Sequence, residues 1–128
     1  MFYYLFAGLN PALRKEYALG APSTFRYLGA RPDEEAGITS LANKTKFDEV
    51  IEILRLMGFE HDDVSALLRI LAAVLHLGQI EFAPADGADS CVVTSAPAVS
   101  ETVARLLQIN DAELVSSFTQ LSVEAGGL

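Results

Sequence analysis

The sequence predicts a mainly α-helical fold with one small β-hairpin. Residues 62–78 place apolar side chains at the three- and four-residue spacing of a single helical face. Residues 47–57 repeat that spacing, and two short segments of β-forming residues flank the turn-rich stretch 84–89. These observations predict two principal helices and a two-stranded hairpin.

Length and charge restrict the chain to one domain and disfavour two classes of partner. The chain has 128 residues, 51% of them hydrophobic, which is enough for one buried core. Its net charge of -8 disfavours nucleic acid and anionic membranes, because both select basic surfaces. The acidic clusters 33–35 and 60–63 are interpreted as a solvated loop and a helix start.

Residues 62–78 are predicted to form the central helix, which the other segments cover. Its middle, residues 70–75, is apolar on every side, as expected for a buried helix. The apolar run is shorter than the roughly 20 residues that a bilayer requires, and Arg69 and His76 interrupt it. No membrane insertion is predicted.

Both ends of the central helix carry sequence signals. Asp62 and Asp63 suit the positive N-terminal end of the helix dipole. His76 lies in the predicted last turn, and Gly78 is expected to adopt a left-handed conformation after it.

The N-terminal region is predicted to contain two short helices. Residues 1–8 are apolar and aromatic, have no capping residue before them and end at Gly8, which is typical of the last turns of a helix that begins upstream. Asn10 as N-cap and Pro11 at the first helical position predict a second helix that runs towards Gly20.

A long connection and a second strong helix follow. Residues 21–40 are rich in Pro and Gly and are predicted to be mostly loop, with a short extended segment at 25–28. Residues 45–48 resemble a capping box, so a helix is expected to begin there and to end at Gly58. Its short connection to the central helix predicts that the two helices are antiparallel or steeply crossed neighbours. Its apolar stripe consists of Phe47, Val50, Ile51, Leu54 and Met57.

The C-terminal third is predicted to contain the hairpin and two helices. Residues 79–82 and 91–94 are the expected strands. Pro97 opens one helix, with Val99, Val103, Leu106 and Leu107 facing inwards. Asn110 caps the last helix, and Glu113 completes a predicted capping box.

The sequence contains no motif that predicts a nucleotide or metal site. A glycine-rich phosphate loop with a following Lys-Ser or Lys-Thr is absent, as is G-x-G-x-x-G. His61 and His76 are the two histidines, and their spacing is not that of a zinc pair. We interpret His76 as a helix-end histidine that contacts carbonyl groups, with a metal or proton-transfer role as the alternative.

Three further features have ordinary structural interpretations. Cys91 is the single cysteine, so no intramolecular disulfide can form, and a reducing compartment is expected. Asp86 and Asp89 lack the spacing of a calcium loop and are interpreted as a surface turn. No basic segment precedes the apolar start, so no secretory signal is predicted. The residues alone therefore predict no catalytic, cofactor-binding or metal site.

Several segments resemble the myosin motor domain. Residues 47–59 and 68–82, which include R-I-L-A-A-V-L-H-L-G-Q-I-E-F, are similar to consecutive parts of that family. Residues 2–8 resemble the end of the helix after the first nucleotide switch, and Tyr27-Leu28 resembles a pair that follows it. Residues 106–114 resemble the next helix pair. The resembling segments therefore follow in the same order and spacing as in that family from Phe2 to about Thr119.

This resemblance implies a partial motor domain, the middle segment of the upper subdomain, which is incomplete as a fold. The phosphate loop and both nucleotide switches, the relay helix and the lever would lie outside residues 1–128. The parent would be a cytoplasmic, cytoskeletal motor that hydrolyses ATP with Mg²⁺ and binds actin filaments, while this segment acts as a scaffold. Two departures are Gly29, where an asparagine is common, and residues 119–122, which lack the basic residues that lead to an actin-facing loop.

The scaffold interpretation leads to further expectations and has competitors. Helices 45–57 and 62–77 would move as one rigid body, and Phe2, Tyr3 and Phe6 would be exposed in a separated segment. One alternative is a free-standing helical interaction module that unfolds cooperatively. Another is a metal-dependent enzyme that uses His61 and His76.

Overall fold

The computed structural model describes residues 1–86 and 90–120. Within these ranges the chain is mainly helical with a two-stranded antiparallel sheet, which confirms the predicted mixture of elements. The helices are α1 (Phe2–Gly8), α2 (Pro11–Glu16), α3 (Glu35–Ile38), α4 (Leu41–Leu56), α5 (His61–Leu77), α6 (Pro97–Leu107) and α7 (Asp111–Thr119), and the strands are β1 (Phe82–Pro84) and β2 (Cys91–Val93).

Helix α5 is the predicted central helix, but its N-cap is Glu60. The Glu60 side chain accepts the Asp63 N–H, and the Asp63 carboxylate accepts the Glu60 N–H at 2.9 Å. This reciprocal pair forms a capping box, and α5 begins at His61, one residue before the predicted start at residue 62. Leu75 is fully buried, whereas Ile70 is 49% exposed, so the prediction of burial on every side is wrong at Ile70.

Two glycines differ from the roles expected of them. Gly78 has φ −64°, so the predicted left-handed conformation is wrong. A Cβ at Gly78 would lie 2.7 Å from the Tyr27 ring, so the position needs a small residue for close packing. Gly58 after α4 does have a positive φ of 96°, which glycine adopts without strain.

Helix α4 begins earlier than predicted. Ser40 is the N-cap, and its side chain accepts the Asn43 N–H at 3.3 Å. The Thr45 hydroxyl, predicted to cap a helix start, instead donates to the Leu41 carbonyl at 3.0 Å inside the helix. The predicted start at 45–48 is therefore wrong, because a threonine hydroxyl can bond a carbonyl of its own helix as readily as it caps one.

The main packing partner of α4 is α1 and not α5. Phe47 of α4 is 7% exposed and packs onto Gly8 of α1. Helix α4 contacts α5 only slightly, and α5 packs mainly against α6. The predicted neighbours 45–57 and 62–77 do contact each other, but α1 is the larger partner of α4, because the glycine in α1 lets Phe47 approach closely.

The connection between α2 and α3 is built from short helical turns. The 3₁₀ turns are Pro22–Thr24, Arg26–Leu28 and Pro32–Glu34. Of the predicted extended segment 25–28, only Phe25 is extended, with φ −96° and ψ 118°. The Ser23 N–H and hydroxyl both donate to the Glu35 carboxylate, which fixes this connection against α3.

The hairpin confirms the predicted pairing of two short strands. Phe82 pairs with Val93, and Pro84 pairs with Cys91. The first strand begins at Phe82, later than the predicted residue 79, because the preceding residues are used to end α5. Residues 87–89, which include the predicted turn residue Asp89, lie outside the described residues.

The helices at both chain ends are largely as predicted. Asn10 and Asn110 are N-caps, and their side chains accept the N–H groups of Leu13 at 2.8 Å and Glu113 at 3.2 Å. Helix α6 starts at Pro97. The predicted features beyond residue 120 lie outside the described residues.

Two apolar clusters meet at Leu107 of α6. The larger contains α1, the α2–α3 connection, Phe47 and most of α5, and the smaller joins α6, α7 and the hairpin; Leu107 contacts both. Phe6 is 1% exposed, so its predicted exposure is wrong, whereas Tyr3 is 43% exposed. None of the described helices is both long and apolar enough to span a bilayer.

Candidate functional site

A buried polar contact lies at the C-terminal end of α5. His76 is 8% exposed, and its Nε2 atom lies 2.8 Å from the carbonyl oxygen of Tyr17. Since a carbonyl oxygen only accepts hydrogen bonds, Nε2 carries a proton and donates. This confirms the interpretation of His76 as a helix-end histidine that contacts a carbonyl group, although the carbonyl belongs to the residue after α2.

Aromatic rings extend this contact into α1. The Phe25 ring lies edge-on to the His76 ring, with the two ring centroids 5.3 Å apart. The centroid of the Phe25 ring also lies 5.7 Å from the centroid of the Phe6 ring. We call Phe6, Tyr17, Phe25 and His76 the His76 junction. It joins α1, the end of α2, the α2–α3 connection and α5 at one buried place.

The surroundings of His76 favour its neutral form. Burial lowers the pKa of His76 below its ordinary value, the nearby Arg105 charge acts in the same direction, and the bond to Tyr17 opposes both. Burial also raises the pKa of the Tyr17 phenol, with a further increase from Glu16. The junction is therefore an uncharged structural contact at neutral pH.

We expect His76→Leu to destabilise the protein and to change its response to acid. The variant leaves the buried Tyr17 carbonyl without its donor, which costs about 1–3 kcal/mol of unfolding free energy at pH 7.5. Because the folded pKa lies below the unfolded value of about 6.5, the contribution of wild-type His76 is full above that pH and decreases as the pH falls through the folded pKa.

Urea unfolding at several pH values tests this prediction. The difference in unfolding free energy between wild type and His76→Leu should narrow from pH 7.5 to pH 5. His61→Leu, at an exposed position, is the matched control, and at pH 7.5 it should cost far less because it deprives no buried carbonyl of its donor. A difference that stays constant over this range would contradict the assigned role of His76.

A second polar contact holds the same region from outside. The Gln79 side chain donates to the Thr24 carbonyl at 2.6 Å and accepts the Arg26 N–H at 2.8 Å. Arg26 also forms an ion pair with Glu81 at 2.9 Å, but both side chains are more than half exposed, so this pair contributes little. The Gln79 side-chain amide therefore holds the backbone at Thr24 and Arg26, the residues on either side of Phe25.

We expect Gln79→Ala to loosen this connection locally. The Arg26 amide loses its acceptor, so its hydrogen exchange should accelerate, with a loss of about 1 kcal/mol in stability. Gln79→Glu is the matched comparison, because its carboxylate still accepts the Arg26 N–H but cannot donate to the Thr24 carbonyl. NMR hydrogen exchange measures both variants, and equal acceleration of the Arg26 amide in the two would refute the role of the Gln79 side chain as its acceptor.

The structure separates the histidines that the sequence offered as a metal pair. His61 is the first residue of α5 and His76 lies in its last turn, which places them about 22 Å apart along the axis. One metal ion cannot bind both, so the metal-enzyme alternative with this pair is wrong. Among residues 1–86 and 90–120, no three or more His, Cys, Asp or Glu side chains are grouped to hold a metal ion.

Cys91 and Asp86 show no arrangement for catalysis. Cys91 is a residue of β2, as predicted, and its thiol lies 3.7 Å from the Phe118 carbonyl. Asp86 is exposed after β1. Neither lines one of the clefts described below, so we assign no chemical role to them.

Two open clefts border the described helices. One of about 440 Å³ borders α1 and α2 and includes Arg14, whose guanidinium donates to the Gly20 carbonyl at 3.0 Å and lies over the Phe6 ring. Another of about 640 Å³ follows α4 past Phe47 and Glu52. Neither includes His76 or Cys91.

Fold and site together define a class of protein segment. The described residues are mainly helical, and the buried His76–Tyr17 contact connects two of their elements. The class is that of a mainly helical protein segment with one small hairpin.

Comparison with known proteins identifies the family to which the chain belongs. The profile of the myosin head (motor domain) matches residues 1–127. Unconventional myosin ID of Drosophila melanogaster is 30% identical over 127 residues, which cover 98% of this chain. Human unconventional myosin-XV is 32% identical over 124 residues, or 93% of the chain, and Drosophila unconventional myosin IC is 31% identical over 128 residues, or 99%. The chain belongs to the myosin head (motor domain) family.

The matched region is a small part of each relative. It spans 12% of unconventional myosin ID and of unconventional myosin IC, and 3% of unconventional myosin-XV. The chain is thus a partial motor domain by comparison with them. The earlier resemblance at residues 2–8, 47–59 and 68–82 is confirmed at the level of the family.

Proposed function

We propose that residues 1–128 are a helical scaffold of the upper subdomain of a P-loop myosin motor, which couples ATP hydrolysis to movement on actin filaments. The family match over residues 1–127 is the observation that carries this proposal. ATP and Mg²⁺ would bind residues of the motor outside this segment. The partners would be the remainder of the motor and actin, in the cytoplasm at the cytoskeleton.

The His76 junction connects α1 to α5 within the proposed scaffold. Helix α1 resembles the end of the helix that follows the first nucleotide switch in this family, and Phe6 connects it through Phe25 to His76. Gln79 then ties the same connection to the start of the hairpin. We propose that α1, the junction and α5 move as one body when the motor changes state, in place of the α4–α5 pair expected from sequence.

A chimeric motor tests the proposal. Residues 1–127 replace the matched segment of Drosophila unconventional myosin ID, and actin-activated ATPase and filament gliding are measured. We expect both activities to be retained in the chimera and lost when a flexible linker of equal length replaces the segment. A folded chimera that binds ATP but is not activated by actin would refute the scaffold role.

The separate chain provides a second test. Since the phosphates and Mg²⁺ are proposed to bind elsewhere, calorimetric titration of residues 1–128 with MgATP should show no stoichiometric binding. Binding of one nucleotide per chain would contradict this division of roles.

A further inference from the structure

The C-terminal half of α4 carries a second apolar surface beside the one that α1 covers. Ile53, Leu56 and Met57 are 54%, 81% and 69% exposed, and Phe59 in the following turn is 40% exposed. The i, i+3, i+4 spacing places Ile53, Leu56 and the C-cap residue Met57 on one side of α4. We call these four residues the α4 patch.

We propose that the α4 patch docks an apolar segment of the same motor head that is contributed from outside residues 1–128. This inference rests on the proposed function, because it takes the chain to be part of a motor head. It adds the surface through which the scaffold contacts the rest of the motor head and the chemistry of the segment that covers this surface.

The grouping of the exposed side chains supports a docking surface. Single exposed apolar residues are ordinary in soluble proteins, whereas a contiguous group marks a place of interaction. On its other side α4 buries Phe47 against α1. A helix that is apolar on two sides is typical of one with packed neighbours on both.

A second copy of this chain is a poor occupant. In a two-fold contact the patch would meet itself, and each acidic neighbour would approach its own copy. The exposed residues Glu52 and Glu60 flank the patch, and a single exposed Arg55 lies between Ile53 and Leu56. Acidic groups therefore outnumber basic ones at the patch, and the net charge of -8 makes two copies repel each other. An occupant with an apolar centre and basic side chains at its edge fits this surface better.

The length of the relatives indicates where such an occupant comes from. The matched region spans 12% of unconventional myosin ID, so most of that polypeptide lies outside it. A segment of the same chain is present at high effective concentration, which favours it over a separate partner.

Cysteine labelling in the chimeric motor tests the inference without actin. Leu56→Cys and, as the matched control, Asp48→Cys are placed separately in the chimera. Asp48 is an exposed residue of the same helix outside the patch. The maleimide reaction of each cysteine is read at that residue by mass spectrometry, in the native head and after urea unfolding, and the ratio of the two rates gives its protection.

We expect Leu56→Cys to be protected at least about tenfold and Asp48→Cys to be protected far less. Since Leu56 is 81% exposed in the part of the chain that the structure describes, its protection must come from a segment outside that part. Equal protection of the two positions would overturn the inference, and so would protection of Leu56→Cys that disappears on dilution, because the occupant would then be another molecule.

The outcome is independent of motor activity. An active chimera with an unprotected Leu56→Cys refutes the docking surface and leaves the proposed function intact. An inactive but folded chimera with a protected Leu56→Cys supports the docking surface and counts against the scaffold role.

Discussion

Replacing Gly8 by alanine should destabilise the protein by about 2 kcal/mol, the range expected for overpacking of a well-filled interior. A Cβ at this position would lie 2.0 Å from two ring carbons of Phe47. Phe47 is 7% exposed, so its ring cannot move aside without leaving the core. Helices α1 and α4 would have to separate, and they are each other's main partners. Urea unfolding followed by circular dichroism measures the effect.

Gly37→Ala is the matched control for this prediction. Gly37 is also helical, but a Cβ there would meet nothing within 4 Å. Alanine should be neutral or stabilising there by up to about 1 kcal/mol, because it has the higher helix propensity. Phe47→Leu should partly relieve Gly8→Ala, so the double variant should lose less than the sum of the two single variants. Equal stability of Gly8→Ala and Gly37→Ala would refute the close packing of α1 on α4.

The type of each main element could be predicted because local signals determine it. The apolar periodicity of α5, the asparagine caps at Asn10 and Asn110, and the β-forming residues of the hairpin all act within a few neighbouring residues. These predictions are confirmed. The boundaries were less certain, because Ser40 and Thr45 are both chemically able to cap a helix, and only tertiary contacts select between them.

The pairing of the helices could not be predicted in the same way. A short link between α4 and α5 suggested direct packing, yet α4 packs on α1 because Gly8 leaves space for Phe47. Gly8 was interpreted as a helix terminus, and Gly78 as a left-handed residue. Gly8 does end α1 as predicted, and in addition the Phe47 ring lies against it. Gly78 is not left-handed, and the Tyr27 ring lies against it. A glycine gives no signal in one sequence that distinguishes close packing from a turn.

The His76 junction was partly predictable. The sequence indicated that His76 would contact a carbonyl, but the carbonyl of Tyr17 is distant in sequence and became visible only in the fold. Gln79 gave no signal, because it was interpreted as part of a strand. Alternation of polar and apolar residues does not reveal that a glutamine side chain bonds the backbone of another segment.

Phe6→Ala should cost about 3–5 kcal/mol of unfolding free energy, as expected for truncation of a fully buried aromatic side chain. Phe6 is 1% exposed and is among the largest fully buried side chains of the described residues. Its ring contacts Phe25 and lies under the Arg14 guanidinium at 5.7 Å. The truncation therefore leaves a cavity between α1 and the connection that holds His76. Chemical denaturation measures the loss.

Phe59→Ala removes the same atoms from a position that is 40% exposed, and it should cost less than half as much in the separate chain. The comparison distinguishes two interpretations of α1. If Phe6 required the rest of a motor head to cover it, as expected from sequence, the two variants would differ little in residues 1–128. If Phe6 is already covered by Phe25 and Arg14, only Phe6→Ala should greatly lower the free energy of unfolding of the chain. The backbone amides of the His76 junction should then lose their protection from hydrogen exchange at the same time.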